Sequence, residues 1–282
     1  MLKSKVLSAE TTPTKMRKFP WLFFVAAFGI AWLVWVPFAI MSQKKGTQAS
    51  VLLDVGSFGP TIAGILMTYR SSDKRARRDF WGRTFSFGSI SLGGYLFIFV
   101  AIPALYLIAV LVDCLVHKVP LAFPYYSQIL SRLPVAIQVS LFLIVVGPLT
   151  EELGWRGFAL DRLQAKRNPL TSALILGVVW WAWHLPLFFI RGTTHGNWGF
   201  GSPWFFLFLP FTISLSVLIT WLYNSNRRSI VSAILIHFTS NTASGLLPAT
   251  TTAFLFATCL LMVTAMLVVA CGGTKSAWPR ES

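Results

Sequence analysis

Eight long tracts, mostly apolar and nearly free of charge, divide this chain, and they leave very few folds open to it. About 20 apolar residues make a helix long enough to cross the hydrocarbon core of a bilayer. Inside hydrocarbon every backbone N–H and C=O must find its partner within the protein, which favours helices. The tracts fall at about 20–41, 51–69, 92–112, 134–157, 170–190, 202–223, 229–246 and 250–271. Only 12% of the residues are charged, against about a quarter in a soluble domain. The expected fold is therefore all-α, a polytopic transmembrane helical bundle of about eight spans.

The basic residues test that count. Placing the N-terminus inside puts 18 of the 24 Lys and Arg in inside segments and five in outside segments. The last of the 24, Arg156, lies within a span. Omitting one span would reverse every later segment and destroy this bias. The expected organisation is a cytoplasmic tail at 1–18, a bundle over 19–271 with its working core at about 134–246, and a second cytoplasmic tail at 272–282. The net charge of +15 thus follows topology and anionic lipid headgroups, and no nucleic-acid partner is expected. The first apolar tract is too long for a signal-peptide core. Cys114, Cys259 and Cys271 show neither metal spacing nor an evident pairing. Trp21, Trp32, Trp35, Trp81, Trp198 and Trp204 lie near span ends and fit an interfacial belt.

Against this background a few polar residues stand out. Glu151, Glu152 and Arg156 end the fourth tract, and charges at such depth persist mainly where they are paired or functional. Successive helical residues differ by about 100° in direction, so the two glutamates cannot face one point. Glu152 and Arg156 are four apart, in the order that favours an ion pair. Glu151 is then left to face the bundle interior. Pro148, one turn earlier, is expected to kink the helix and aim the pair. His184 sits in the fifth tract beyond Trp180. His237 and Asn241 share a face of the seventh. Each of these patterns alone also fits a purely structural role. Their coincidence within successive spans suggests one polar site. His117 and His195 fall in expected outside loops and receive no role.

The ordered set Glu151-Glu152-x-x-x-Arg156, then Trp180-x-x-x-His184, then His237-x-x-x-Asn241 resembles the three motifs of the CPBP intramembrane proteases. That group includes the type II CAAX prenyl endopeptidases. One departure is Trp180, where the family usually carries phenylalanine. The resemblance implies an intramembrane endopeptidase acting near the cytoplasmic side, on a membrane-associated protein or peptide. It implies Glu151 as the base that activates water, His184 as a residue that holds or polarises that water, and His237 and Asn241 as oxyanion donors. Glu152, Arg156 and Trp180 would support them. The family is commonly described as metal-dependent, and Glu151, His184 and His237 could supply three ligands to a divalent ion such as Zn2+. A metal-free site built on the same residues is chemically sufficient. The length of the chain suits a bacterial plasma-membrane member. Buried Glu, His and Arg also mark transport paths, so an ion-coupled carrier is the alternative function, and a non-catalytic scaffold of the same fold is a third.

Overall fold

The computed structural model describes residues 20–45, 52–70, 73–121, 132–245 and 250–271. The two expected tails at 1–18 and 272–282 lie outside the described residues. Within them the chain is helical throughout and contains no strand. In order the helices are α1 (Trp21–Lys45), α2 (Leu52–Ser57), α3 (Gly59–Arg70), α4 (Lys74–Thr84), α5 (Leu92–Leu96) and α6 (Ile102–His117). They continue with α7 (Leu133–Ile144), α8 (Thr150–Gly154), α9 (Asp161–Gln164), α10 (Pro169–Trp183), α11 (Thr194–Trp198), α12 (Pro203–Ser225), α13 (Ile230–Ser244) and α14 (Thr251–Cys271).

Six stretches are long and apolar enough to cross a membrane: Trp21–Lys44, Leu92–His117, Pro134–Gln164, Pro169–Phe189, Pro203–Ser225 and Thr251–Cys271. The other two expected spans have different forms. The tract at 51–69 is divided into α2 and α3, with the break just ahead of Gly59-Pro60. The tract at 229–246 gives α13, whose 15 residues rise only about 22 Å at 1.5 Å per residue. Most of α13 is buried, including His237, Thr239 and Ser240. A helix enclosed by protein need not match the lipid thickness, and it can carry polar side chains.

The feature that places the site is an interruption ahead of the glutamates. After Ile144 the backbone leaves helical geometry at Val146 (φ −89°, ψ 58°) and Gly147 (φ 165°, ψ −92°), just before Pro148. Proline cannot donate its missing N–H, and a break of this kind strands carbonyls inside a dry protein. Two threonines take them up. Thr150 donates through Oγ1 to the Gly147 carbonyl at 2.9 Å, and Thr61 of α3 donates to the Leu149 carbonyl at 3.3 Å. Helix α8 then restarts with Glu151 and Glu152 in its first turn. It leads into a widened π-helical turn at Trp155–Leu160 that carries Arg156. Interruptions of this type are frequent at functional sites.

Close backbone contact locks α8 in place. A Cβ added at Gly154 would lie 2.3 Å from the Pro60 carbonyl oxygen, so no larger residue fits between α8 and α3. Small residues at such crossings let membrane helices approach closely. The far end of the motif segment is tied by charge. Asp161 accepts from Tyr223 at 2.8 Å and lies 3.3 Å from Arg83 of α4. It also pairs with Arg228.

The tryptophan belt is only partly realised. Trp21 is exposed, as a belt residue would be, but Trp35 is buried. Its indole donates to the Leu53 carbonyl at 2.8 Å, and its ring packs 4.5 Å from that of Trp183. Trp35 therefore holds α1 against α2 and α10.

Candidate active site

Glu152 is the hub of the site. Its two oxygens both lie 2.9 Å from Nη1 of Arg156, and both side chains are completely buried. The Arg156 guanidinium also donates from Nη2 to Ser216 Oγ of α12 at 3.2 Å. Glu152 Oε1 accepts a second bond, 2.9 Å from Nδ1 of His237 on α13. A carboxylate in this ion pair can only accept, so His237 carries its proton on Nδ1 and has Nε2 left for chemistry. The expected ion pair is present. The hold of Glu152 on His237 was not expected from the sequence, since 85 positions separate them.

Glu151 is used differently. It is buried and takes no part in the Arg156 ion pair. One of its oxygens, Oε2, accepts a hydrogen bond from the indole N–H of Trp180 on α10. The Trp180 ring also stands edge-on to His237, with centroids 5.0 Å apart, and 5.5 Å from the Arg156 guanidinium carbon. One turn further along α10, His184 donates from Nδ1 to the backbone carbonyl of Trp180 at 2.8 Å. That bond orients the imidazole and leaves its Nε2 unprotonated, able to accept a proton.

Asn241 sits apart. It lies one turn beyond His237 on the same face, but it is exposed. Its side-chain amide has no partner among the described hydrogen bonds. Its Nδ2 is 3.8 Å from where a Cβ on Gly147 would be, so the amide faces the interruption just ahead of the glutamates. The structure thus joins Glu151, Glu152, Arg156, Trp180 and His237 by direct contacts. It ties His184 to them through Trp180 and leaves Asn241 at the rim.

His195 is placed closer to the site than the sequence reading allowed. It belongs to α11, which folds back so that its ring centroid is 5.0 Å from that of His184. Phe208 and Trp198 flank it at 4.8 and 5.1 Å. Burial, and next the neighbouring His184, push the His195 imidazole well below the ordinary histidine range, so it is neutral at neutral pH. A sequence signal did exist. Thr193 caps α11 by accepting from the Gly196 N–H at 2.8 Å, and Thr-x-x-Gly ahead of Trp198 marks a short helix, not an open loop.

Among the described residues no three His, Cys, Asp or Glu side chains are grouped as a metal would require. Nδ1 of both histidines and Oε2 of Glu151 are already engaged with protein partners. Nε2 of both histidines and Oε1 of Glu151 carry no described protein bond.

With this geometry in hand, comparison with known proteins is informative. Residues 133–243 match the family described as type II CAAX prenyl endopeptidase, Rce1-like. A CAAX prenyl protease 2 from Methanococcus maripaludis is 27% identical over 256 residues, covering 89% of this chain and 93% of the relative. The match begins with α7 and ends in α13, so it takes in every residue of the three motifs. This integral membrane protein is thus similar to the Rce1-like CAAX prenyl endopeptidases, and the likeness supports a CAAX-type intramembrane endopeptidase.

Proposed function

We propose that the chain hydrolyses a peptide bond with a water activated by Glu151. The observation that carries this reading is the division between adjacent glutamates. Glu152 is consumed by Arg156 and His237, whereas Glu151 is buried, held by one neutral donor and outside the ion pair. A positioned carboxylate is a suitable general base. In this reading His184 Nε2 holds the same water. His237 supplies a donor toward the developing oxyanion when it is doubly protonated, its Nδ1 proton being retained by Glu152. Asn241 supplies a second donor from the rim.

The substrate class follows from the relative. A CAAX prenyl protease acts on a C-terminal Cys-a-a-X sequence bearing a prenyl group. The test is a purified, reconstituted protein given a farnesylated peptide with that ending and its unprenylated counterpart. Release of the last three residues from the prenylated peptide is expected. Cleavage of neither, by a preparation that melts cooperatively, would remove this substrate class.

Removing an oxyanion donor lowers the rate by roughly 10² to 10³. Asn241→Ala should depress kcat by about 10² with KM little changed, because the donor acts when charge develops and not when substrate binds. A kcat within about threefold of wild type would take Asn241 out of the site.

Orientation follows from charge. With the segment after α9 in the cytoplasm of a bacterial cell, Lys166→Cys in a cysteine-free background should resist an impermeant thiol reagent added to intact cells. Asn197→Cys, on the other face, should react. Both side chains are exposed, so access and not burial decides the result. Reaction at Lys166→Cys would reverse the proposed topology.

A further inference from the structure

We propose that Trp180 is a positioning residue for the cleavage reaction, its indole N–H fixing the Glu151 carboxylate so that one chosen oxygen faces the water. The inference rests on Glu151 being the base, as proposed above. An aromatic ring at this position could serve by packing alone. The ring does pack, edge-on to His237 and against the Arg156 guanidinium. Packing does not account for the N–H, which is committed to Glu151 Oε2.

Hydrogen bonding is not automatic for an indole in this interior. The N–H groups of Trp181 and Trp183, its neighbours on α10, are buried without a partner. Trp180 is almost fully enclosed, at 3% exposure, so water does not compete for its acceptor. A carboxylate otherwise free to rotate about its last torsion is then held in one orientation. Oε2 is occupied, and Oε1 is the oxygen left to take a proton from water.

The same residue also orients His184. Its backbone carbonyl receives the His184 Nδ1 proton at 2.8 Å. One residue of α10 therefore presents its side chain to the base and its main chain to the histidine beside it.

Trp180→Phe separates these functions. It keeps a ring and the main-chain carbonyl and removes only the donor. A hydrogen bond to a charged group is worth enough that its loss should lower kcat roughly ten- to a hundredfold. KM should stay near wild type, because binding surfaces are unchanged. A second readout does not need turnover. In protein labelled with ¹⁵N at the indole nitrogens, the signal absent from Trp180→Phe should be the one displaced most by Glu151→Gln. If Trp180→Phe does not accumulate, Trp180→Tyr provides the same assignment.

A wild-type kcat in folded Trp180→Phe, beside an inactive Glu151→Gln, would overturn the positioning role alone. So would a Trp180 indole signal that does not move in Glu151→Gln. Full activity in Glu151→Gln would instead overturn the assignment of the base, and the role of Trp180 in cleavage would fall with it.

Discussion

Glu151→Gln is expected to eliminate cleavage and leave a protein that is extracted and melts like wild type. The substitution keeps the size of the side chain and an oxygen able to accept from Trp180. What it removes is the capacity to take a proton from water. General-base catalysis contributes about 10² to 10⁴ in rate, and the loss should lie toward the upper end because no second carboxylate is free. Glu152 cannot substitute, since both its oxygens bind Arg156 and one also binds His237. The measurement is kcat on a prenylated peptide, with melting temperature as the control for folding. Cleavage within tenfold of wild type by folded Glu151→Gln would end the proposed mechanism.

Glu152→Gln should have the opposite profile, a loss of folded protein before any question of catalysis. The Glu152 and Arg156 side chains have zero exposure. Removing one partner of a buried ion pair leaves an uncompensated charge, at a cost of about 3–5 kcal/mol. The guanidinium would keep its contact with Ser216 but lose the charge that balances it. The one amide oxygen left would have to serve both Arg156 and His237. The expected result is a clearly lower yield of dispersed, folded protein and a lower melting temperature than for Glu151→Gln. Equal yields and equal melting for the two variants would show that the roles given to the adjacent glutamates are wrong.

The pairing of Glu152 with Arg156 was legible in sequence because it is local. The i,i+4 spacing of Glu152 and Arg156 fixes a distance on any helix, and the interruption at Gly147-Pro148 follows from proline chemistry. The contact from Glu152 to His237 crosses four intervening helices and has no such signature. Trp180, one turn before His184, is the residue that reaches Glu151, and no spacing in the sequence marks that contact. The position of His195 depends on α11 folding back onto aromatic rings, and span counting treats such a connection as featureless. The close approach of α3 to α8 at Gly154 is likewise unmarked by any spacing. That is a property of the pair of helices and not of either alone.

The two bonds made by Glu152 also bear on the order of assembly. One joins it to Arg156 on its own segment, and the other reaches His237 on α13, a helix synthesised later. A nascent chain that has inserted α8 but not yet seated α13 can complete the ion pair, but Glu152 Oε1 still lacks its His237 donor. Such an intermediate holds the ion pair without the third motif. The docking of α13 is therefore the step that joins the third motif to the first.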